Sequence, residues 1–106
     1  MPYLVTMMWY PTHMNNEIVK KYLKIRKTYP AKDELYIQLC APLMVCKEGI
    51  KCMTIRETKK GKFEEALKYT TKFLNEFNDI EGYSYQIEVW HTFDEALAVG
   101  GIEVSD

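Results

Sequence analysis

The order of apolar and polar residues predicts two copies of a strand–helix–strand unit. A nearly continuous apolar run over residues 3–10 predicts a strand covered on both faces, and Pro11 ends it. Alternating apolar and polar residues predict three more strands, over 35–40, 50–58 and 83–90. The two units meet at a turn, Lys47-Glu48-Gly49, whose glycine can adopt a positive φ.

Amphipathic helices separate these strands. Apolar residues at three- and four-residue intervals from Ile18 to Leu23 predict a first helix, capped by Asn15 or Asn16 and ended by Tyr29-Pro30. The second helix has an apolar stripe made of Phe63, Ala66, Leu67, Thr70, Phe73, Leu74 and Phe77. A capping box predicts a short third helix, from Thr92-Phe93-Asp94-Glu95 through Ala98.

Right-handed crossovers turn this order into a topology. They predict an α+β fold, the ferredoxin-like βαββαβ plait, with an antiparallel sheet of order 4-1-3-2 and two helices on one face. Pro42 has no N–H to donate, which places the second strand at an edge. The residues expected to face the helices are Leu35, Ile37, Leu39, Tyr85, Ile87 and Val89. The residues expected on the opposite, open face are Tyr36, Gln38, Cys40, Thr54, Arg56, Gln86, Glu88 and Trp90.

Composition limits the size and the partners of the protein. The 106 residues, 47% hydrophobic and 27% charged, predict one domain over 1–106, with a core over 3–98 and a tail over 99–106. Such a short chain buries roughly two-thirds of its unfolded surface, and an uncovered sheet face usually finds a partner, so we expect a homodimer through the open face. Residues 102–104 either add a strand to another chain's edge or fray.

Charge and targeting signals narrow the setting further. The net charge of −1 gives no overall field that would attract nucleic acid or an anionic membrane. The sequence has neither a signal-peptide pattern nor an apolar run of roughly 20 residues, so we expect a cytoplasmic protein with no membrane partner. Cys40, Cys46 and Cys52 fall within one predicted hairpin, as small apolar strand residues or as a redox or metal group. Their equal spacing of six residues resembles no C-x-x-C metal or redox motif. We expect no metal site and no cofactor.

Three residues are candidates for catalysis: Glu88, His13 and His91. The two histidines follow strands that end at opposite sides of the sheet, roughly 25 Å apart at about 3.3 Å per residue, so they cannot share a site within one chain. Each is either structural or solvated, or it has a role in proton transfer or ligand binding. A buried Glu88 is either a base with a raised pKa or the partner of Arg56 in an ion pair across the dimer, and the ion pair is the favoured interpretation.

The opening strand YLVTMMWYP, the closing segment GYSYQIEVWHTFDEAL and the element order resemble the dimeric α+β barrel superfamily over about residues 3–98. Its members include antibiotic-biosynthesis-type monooxygenases, muconolactone-isomerase-like proteins and stress-responsive barrel proteins. The resemblance implies two sheets facing across a dyad, with small aromatic or polyketide-like ligands in subunit cavities. Haem-degrading members have an asparagine, a tryptophan and a histidine where this chain has Thr6, Thr54 and Lys68 or Tyr69, so no haem is expected and no catalytic residue is transferred.

Three functions follow from these observations. The first is a homodimer that binds a small, partly aromatic metabolite, or a cofactor-independent monooxygenase- or isomerase-like enzyme. The ligand-binding residues expected for it are Trp9, Gln38, Tyr85, Gln86 and Trp90. The second is a non-catalytic ligand-sensing or structural dimerisation module. The third, RNA binding, is disfavoured because the third strand reads GIKCMTI and lacks the aromatic pair of an RRM.

Overall fold

The computed structural model describes residues 2–101, and across them the chain forms an α+β fold with a five-stranded antiparallel sheet and three α-helices. A single turn of 3₁₀ helix, Thr12–Met14, precedes the first α-helix. The elements in chain order are β1 (Tyr3–Tyr10), α1 (Asn15–Ile25), β2 (Tyr36–Cys40), β3 (Leu43–Cys46), β4 (Gly49–Thr58), α2 (Phe63–Asn75), β5 (Ser84–Trp90) and α3 (Phe93–Val99). The strand prediction for residues 102–104 lies outside the described residues.

The four longer strands lie side by side in the order β2-β4-β1-β5, and β3 pairs with the first part of β4. In the register of the sheet, Leu4 of β1 stands opposite Arg56 of β4 and Val89 of β5. Residues that stand opposite each other point to the same side of a sheet. Even-numbered residues of β1 and β4 therefore share one face with odd-numbered residues of β5.

Where one second strand was predicted, the chain forms two. Ala41-Pro42 separates β2 from β3, because Pro42 has no N–H for a continuous ladder. The Pro42 carbonyl instead accepts a hydrogen bond from the Met53 backbone N–H, at 2.9 Å. The register also shifts between Gln38 and Cys40. The expected four-stranded sheet is therefore a five-stranded one.

Both long helices pack on the face that Leu4 and Tyr10 share, which is called the helix face below. Leu4 lies in one buried cluster with Leu35, with Tyr36 of β2 and with Ala66 of α2. Tyr10 lies in a second cluster, whose other members are Ile18, Ile25, Ile50 and Phe77. The stripe predicted for α2 is confirmed at Ala66, Thr70 and Leu74, which are buried.

The predicted orientation of the second strand is wrong. Tyr36 is only 4% exposed, whereas Ile37 and Leu39 are 49% and 51% exposed. A shift of one residue moves every side chain of a strand to the other face, and the pattern over 50–58 mixes apolar and polar residues on both faces. The register moves four residues from the predicted open face to the helix face: Tyr36, Gln38, Thr54 and Arg56.

Other local predictions have mixed outcomes. Ile87 packs against the Leu4 cluster, as expected for its side of β5. The capping box is confirmed, because Thr92 Oγ1 accepts from the Glu95 N–H at 3.1 Å and the Glu95 carboxylate accepts from the Thr92 N–H at 2.8 Å. The predicted asparagine cap is wrong. Helix α1 begins at Asn15, and the Asn15 side chain accepts a hydrogen bond from the Tyr10 hydroxyl.

Candidate functional site

A cleft of about 1060 Å³ lies between the helix face of the sheet and the helices α1 and α2. The segment between α1 and β2 contributes a further wall. Six of the lining residues are aromatic: Tyr10, Tyr22, Tyr29, Tyr36, Phe73 and Phe77. Ligand sites of small molecules are typically about 300 to 1,000 Å³ and lined in this way by apolar and aromatic side chains. The cleft therefore has the size and the lining of a ligand site.

Helix α1 is held to the sheet at two points and leaves apolar side chains over the cleft. Ile18 and Ile25 are buried in the Tyr10 cluster. Val19 and Tyr22 also line the cleft, yet they are 45% and 44% exposed. The periodicity predicted a single buried stripe for this helix. Part of that stripe instead faces open space in the cleft.

Aromatic contacts fix the chain that leaves α1. The ring of Tyr29 lies 5.6 Å from that of Tyr69 and 6.2 Å from that of Phe73, both on α2. The Tyr69 hydroxyl donates a hydrogen bond to the Pro30 carbonyl. On α1, the ring of Tyr22 meets Phe73 edge to face at 6.2 Å. Such pairs stabilise by about 0.5–1.5 kcal/mol each beyond the area they bury, so this wall of the cleft is preformed.

A guanidinium supplies the polar end of the cleft. Arg56 Nε donates to Gln38 Oε1 at 3.2 Å, and Arg56 Nη1 donates to Thr70 Oγ1 at 3.0 Å. The guanidinium carbon lies 4.2 Å from the centre of the Tyr36 ring, a cation–π contact. Burial lowers the pKa of Arg56 from its usual value, and the surrounding tyrosines Tyr36, Tyr69 and Tyr22 partly oppose that shift. The group stays cationic, as arginine does in proteins.

A hydroxyl and a thiol lie deeper in the cleft. The Tyr10 hydroxyl donates to Asn15 Oδ1 at 3.0 Å, and burial, with a smaller effect of Cys52, raises the pKa of Tyr10 to about 12. Burial also raises the pKa of the Cys52 thiol. A thiol with a raised pKa is protonated at neutral pH and is a poor nucleophile. Both groups are therefore suited to hydrogen bonding rather than to covalent or base catalysis.

A second, smaller site lies on the other side of the sheet, called the open face below. A groove of about 550 Å³ is lined there mostly by apolar side chains of β1, β2, β4 and β5: Tyr3, Val5, Met7, Leu39, Met53, Ile55, Glu88 and Trp90. The Glu88 carboxylate accepts hydrogen bonds from Gln86 Nε2 and, at 2.8 Å, from Trp90 Nε1. These two neutral donors come from the same strand. Among the described residues, Glu88 thus has neutral hydrogen-bond donors and no cationic partner.

Glu88 and Arg56, which were expected to form an ion pair across the dimer, were assigned to one face of the sheet, but their side chains lie on opposite faces. Arg56 is directed towards α2, as its hydrogen bond to Thr70 shows. The reason is the register of β4, in which Arg56 stands opposite buried Leu4. Two sheets packed through their open faces would keep Arg56 outside the interface.

The predicted ligand-binding residues are divided between the two faces. Gln38 lines the cleft beside Arg56. Tyr85 also lies on the helix side, where its hydroxyl donates to Asn75 Oδ1 at 2.6 Å. Trp9, Gln86 and Trp90 belong to the open face. The structure therefore brings only Gln38 of this set into the cleft.

The two histidines lie at opposite ends of the sheet. His13 is in the 3₁₀ turn that follows Tyr10, and His91 follows Trp90, which pairs with Tyr3 at the other end of β1. Both are exposed. Among residues 2–101, no group of three or more His, Cys, Asp or Glu side chains is arranged to hold a metal ion. Neither histidine lines the cleft or the groove.

Sequence reasoning missed most of the cleft. Tyr29-Pro30 was interpreted only as the end of a helix, and Phe73 only as core. Tyr36 and Arg56 were placed on the wrong face. One signal could have found them, because Tyr36, Gln38, Thr54 and Arg56 together form a polar and aromatic set at alternate positions. The apolar residues at the intervening positions, such as Ile37 and Ile55, belong to the opposite face of the sheet.

The fold and the cleft define an α+β protein with an aromatic-lined site between its sheet and its two long helices. The sequence matches no protein-family model, and neither a curated protein nor a solved structure matches the chain. None of the helices between residues 2 and 101 has the length and the apolar character needed to cross a membrane.

Proposed function

We propose that this protein binds a small, partly aromatic metabolite in the cleft, and that it does so as a ferredoxin-like plait paired into a dimeric α+β barrel. The observation that carries the proposal is the cleft itself, at about 1060 Å³, with half-exposed Val19 and Tyr22 over it. A ligand that covers these exposed apolar side chains would be stabilised by about 25 cal/mol for each Å² of apolar surface removed from water.

The strand order supports the plait. The longer strands follow β5-β1-β4-β2, which corresponds to 4-1-3-2 when β3 is counted as a continuation of the second strand. Both long helices lie on one face, against Leu4 and Tyr10. This arrangement leaves the opposite face of the sheet for a partner subunit.

A second copy of this chain is the partner that best fits the open face. The side chains exposed there are largely apolar, among them Ile37, Leu39 and Trp90, which are each about half exposed. Contiguous apolar patches of this kind mark interfaces in soluble proteins. In a homodimer, both subunits would present the same strands to the interface. This fits a self-complementary contact about a two-fold axis.

The chemistry of the cleft favours binding over catalysis. Tyr10 and Cys52 both have raised pKa values and are neutral at physiological pH. The catalytic candidates Glu88, His13 and His91 lie outside the cleft. A ligand-binding or ligand-sensing role therefore has more support than a monooxygenase- or isomerase-like reaction. We also place the protein in the cytoplasm, and three free thiols support a reducing compartment.

The experiment that tests the proposal is a titration of ¹⁵N-labelled protein with 2-naphthamide, a neutral two-ring probe, followed by NMR. We expect chemical-shift changes at cleft residues such as Tyr36, Cys52 and Phe73, and none at Val5 on the open face. Phe73→Ala should weaken binding at least several-fold because it removes an aromatic wall. Phe63→Ala is the matched control, since Phe63 is also on α2 but packs against the Leu4 cluster.

Two outcomes would contradict the proposal. One is a titration in which no residue of the cleft shifts at millimolar probe. The other is equal weakening by Phe73→Ala and Phe63→Ala, which would indicate a general loss of structure. Native mass spectrometry of the purified protein adds an independent measurement, because a carried ligand would appear with its stoichiometry per dimer.

A further inference from the structure

Arg56 makes two hydrogen bonds and both go to neutral groups. Its partners are the Gln38 carbonyl oxygen and the Thr70 hydroxyl. Within residues 2–101, no carboxylate forms an ion pair with Arg56. A partly buried cation is ordinarily paired with an anion, because leaving it unpaired in a low-dielectric setting is costly. The charge of Arg56 is therefore not compensated by an ion pair with any described residue.

The hydrogen-bonding capacity of Arg56 is also unfilled. A guanidinium has five N–H donors, and two are used here, one on Nε and one on Nη1. The Nη2 atom has no hydrogen-bond partner among residues 2–101. Among the described residues, no buried side-chain nitrogen or oxygen lacks a hydrogen bond. Nη2 is therefore not buried, and because Arg56 lines the cleft, its unused N–H groups are accessible to a ligand there.

The position of the guanidinium is fixed before any ligand arrives. The Tyr36 ring lies 4.2 Å beneath it, and Tyr36 is itself buried. Gln38 and Thr70 hold two of its nitrogens from β2 and α2. Preorganised donors lose less conformational entropy when a ligand binds, which increases affinity. Arg56 is also partly buried, and this burial lowers the pKa of its guanidinium.

Most of the other charged residues that line the cleft are also cations. Arg26 and Lys59 are the other cations of the lining, and Asp33 is its one acid among the described residues. Three cations against one anion contrast with a whole-chain net charge of −1. The cleft is thus locally positive although the protein is slightly acidic. Such a local excess favours an anionic ligand.

Resting on the proposed binding function, we infer that the ligand is a planar aromatic carboxylate, with its rings among Tyr22, Tyr29 and Phe73 and its carboxylate on the free edge of Arg56. Arginine and carboxylate are matched in shape, and charge-assisted bonds between them are roughly twice as strong as neutral ones. Arg56 is then the residue that determines specificity. No covalent step is involved.

The test compares two probes of equal ring size: 2-naphthoate, which carries the charge, and 2-naphthamide, which does not. Wild-type protein should bind 2-naphthoate at least about tenfold more tightly, as measured by titration calorimetry. Arg56→Gln should remove that preference while leaving the affinity for 2-naphthamide nearly unchanged. Lys51→Gln is the matched control, because Lys51 lies over Trp9, away from the cleft, and it should keep the full preference.

A second measurement does not depend on a variant that folds. In wild-type protein labelled with ¹⁵N, the Arg56 Nε–H signal should shift on addition of 2-naphthoate and not on addition of 2-naphthamide. A further variant, Arg56→Lys, keeps the charge but loses the planar guanidinium. We expect it to show an intermediate preference for 2-naphthoate over 2-naphthamide.

The outcomes separate the two claims. Equal affinity for the two probes, with shifts at cleft residues, would overturn the carboxylate assignment and leave the binding function standing. A preference that survives Arg56→Gln would overturn the role of Arg56. Failure of both probes to bind would overturn the binding function together with the assignment.

Discussion

A methyl group on the α-carbon of Gly49 would stand 2.5 Å from the backbone carbonyl oxygen of Tyr10. Gly49 also has φ +137, a conformation that other residues rarely adopt. The glycine thus lets the β3–β4 turn approach the end of β1. Gly49→Ala should lower the free energy of unfolding by about 2–4 kcal/mol, from strain and the clash with the backbone together.

Gly61→Ala is the matched control for that prediction. Gly61 has φ +75, but no atom lies within 4 Å of an added methyl group. We expect a loss of about 1 kcal/mol there, from the backbone conformation alone. Urea unfolding of both variants measures the difference. Equal losses would mean that the contact with Tyr10 has no energetic role.

Phe77 tests the core beneath the cleft. It is fully buried in the Tyr10 cluster, between Phe73 and Tyr83 at ring distances of 5.6 and 5.5 Å. Phe77→Ala should cost about 3–5 kcal/mol because it leaves a cavity. Phe93→Ala on α3 is the control, since Phe93 is 77% exposed. Thermal and urea unfolding should show little change for Phe93→Ala, and a comparable loss in both variants would contradict the assigned core.

The raised pKa of Tyr10 predicts how the stability of the folded protein depends on pH. Its pKa is raised to about 12 in the folded protein, mainly by burial, from an ordinary value near 10. Between these values the unfolded chain loses the proton and the folded chain keeps it, so stability falls as pH rises from about 10 to about 12. Below pH 10 this group contributes no pH dependence.

Tyr10→Phe should make that decline less steep without abolishing it, because burial also raises the pKa of Tyr83. The variant has no hydroxyl to titrate, although it also loses the hydrogen bond to Asn15 and is less stable at neutral pH by about 1 kcal/mol. Urea unfolding at pH 8, 9.5, 10.5 and 11 gives the two slopes. If the variant lost stability as steeply as the wild type above pH 10, the decline would come from other groups.

Trp90 tests the proposed dimer. It lies on the open face and is 57% exposed. Trp90→Glu would place a carboxylate beside Glu88 in an apolar interface, so we expect the dimer to weaken by tenfold or more, or about 1.4 kcal/mol. Light scattering across a dilution series measures this. A wild-type protein that is monomeric at micromolar concentration would contradict the proposed dimer.

Leu23→Glu provides the comparison for Trp90→Glu. Leu23 is 46% exposed on α1, on the helix side of the molecule. It should leave the dissociation constant of the dimer unchanged. Equal effects of the two glutamates would show that added charge, rather than its place on the open face, controls association.

The helices and most of the strands could be predicted because their periodicity is strong and local. The stripe of α2 and the capping box of Thr92 and Glu95 both come from residues within one or two turns of each other. The orientation of the second strand was harder to predict. Whether Tyr36 or Ile37 turns inward depends on the register against β4, a relationship between residues 20 apart that one sequence does not encode locally.

The candidate site was predicted only in part for the same reason. Gln38 was expected to bind a ligand, and it does line the cleft. Arg56 was expected to pair with Glu88 because both were assigned to one face. The misplaced register of β4 reversed the role of Arg56, from a partner in an interface to the cation of a cleft. Composition alone could not separate these roles.

The interruption at Ala41-Pro42 also makes the two edges of the sheet unequal. Along one edge, the longest unbroken segment is β2 with five residues, followed by β3 with four. Along the other edge, β5 runs for seven residues. Sheets polymerise when an intact edge accepts a strand from another molecule, and proline and bulges block that ladder. The β2 and β3 edge is thus less suited than the β5 edge to accept a strand from another molecule.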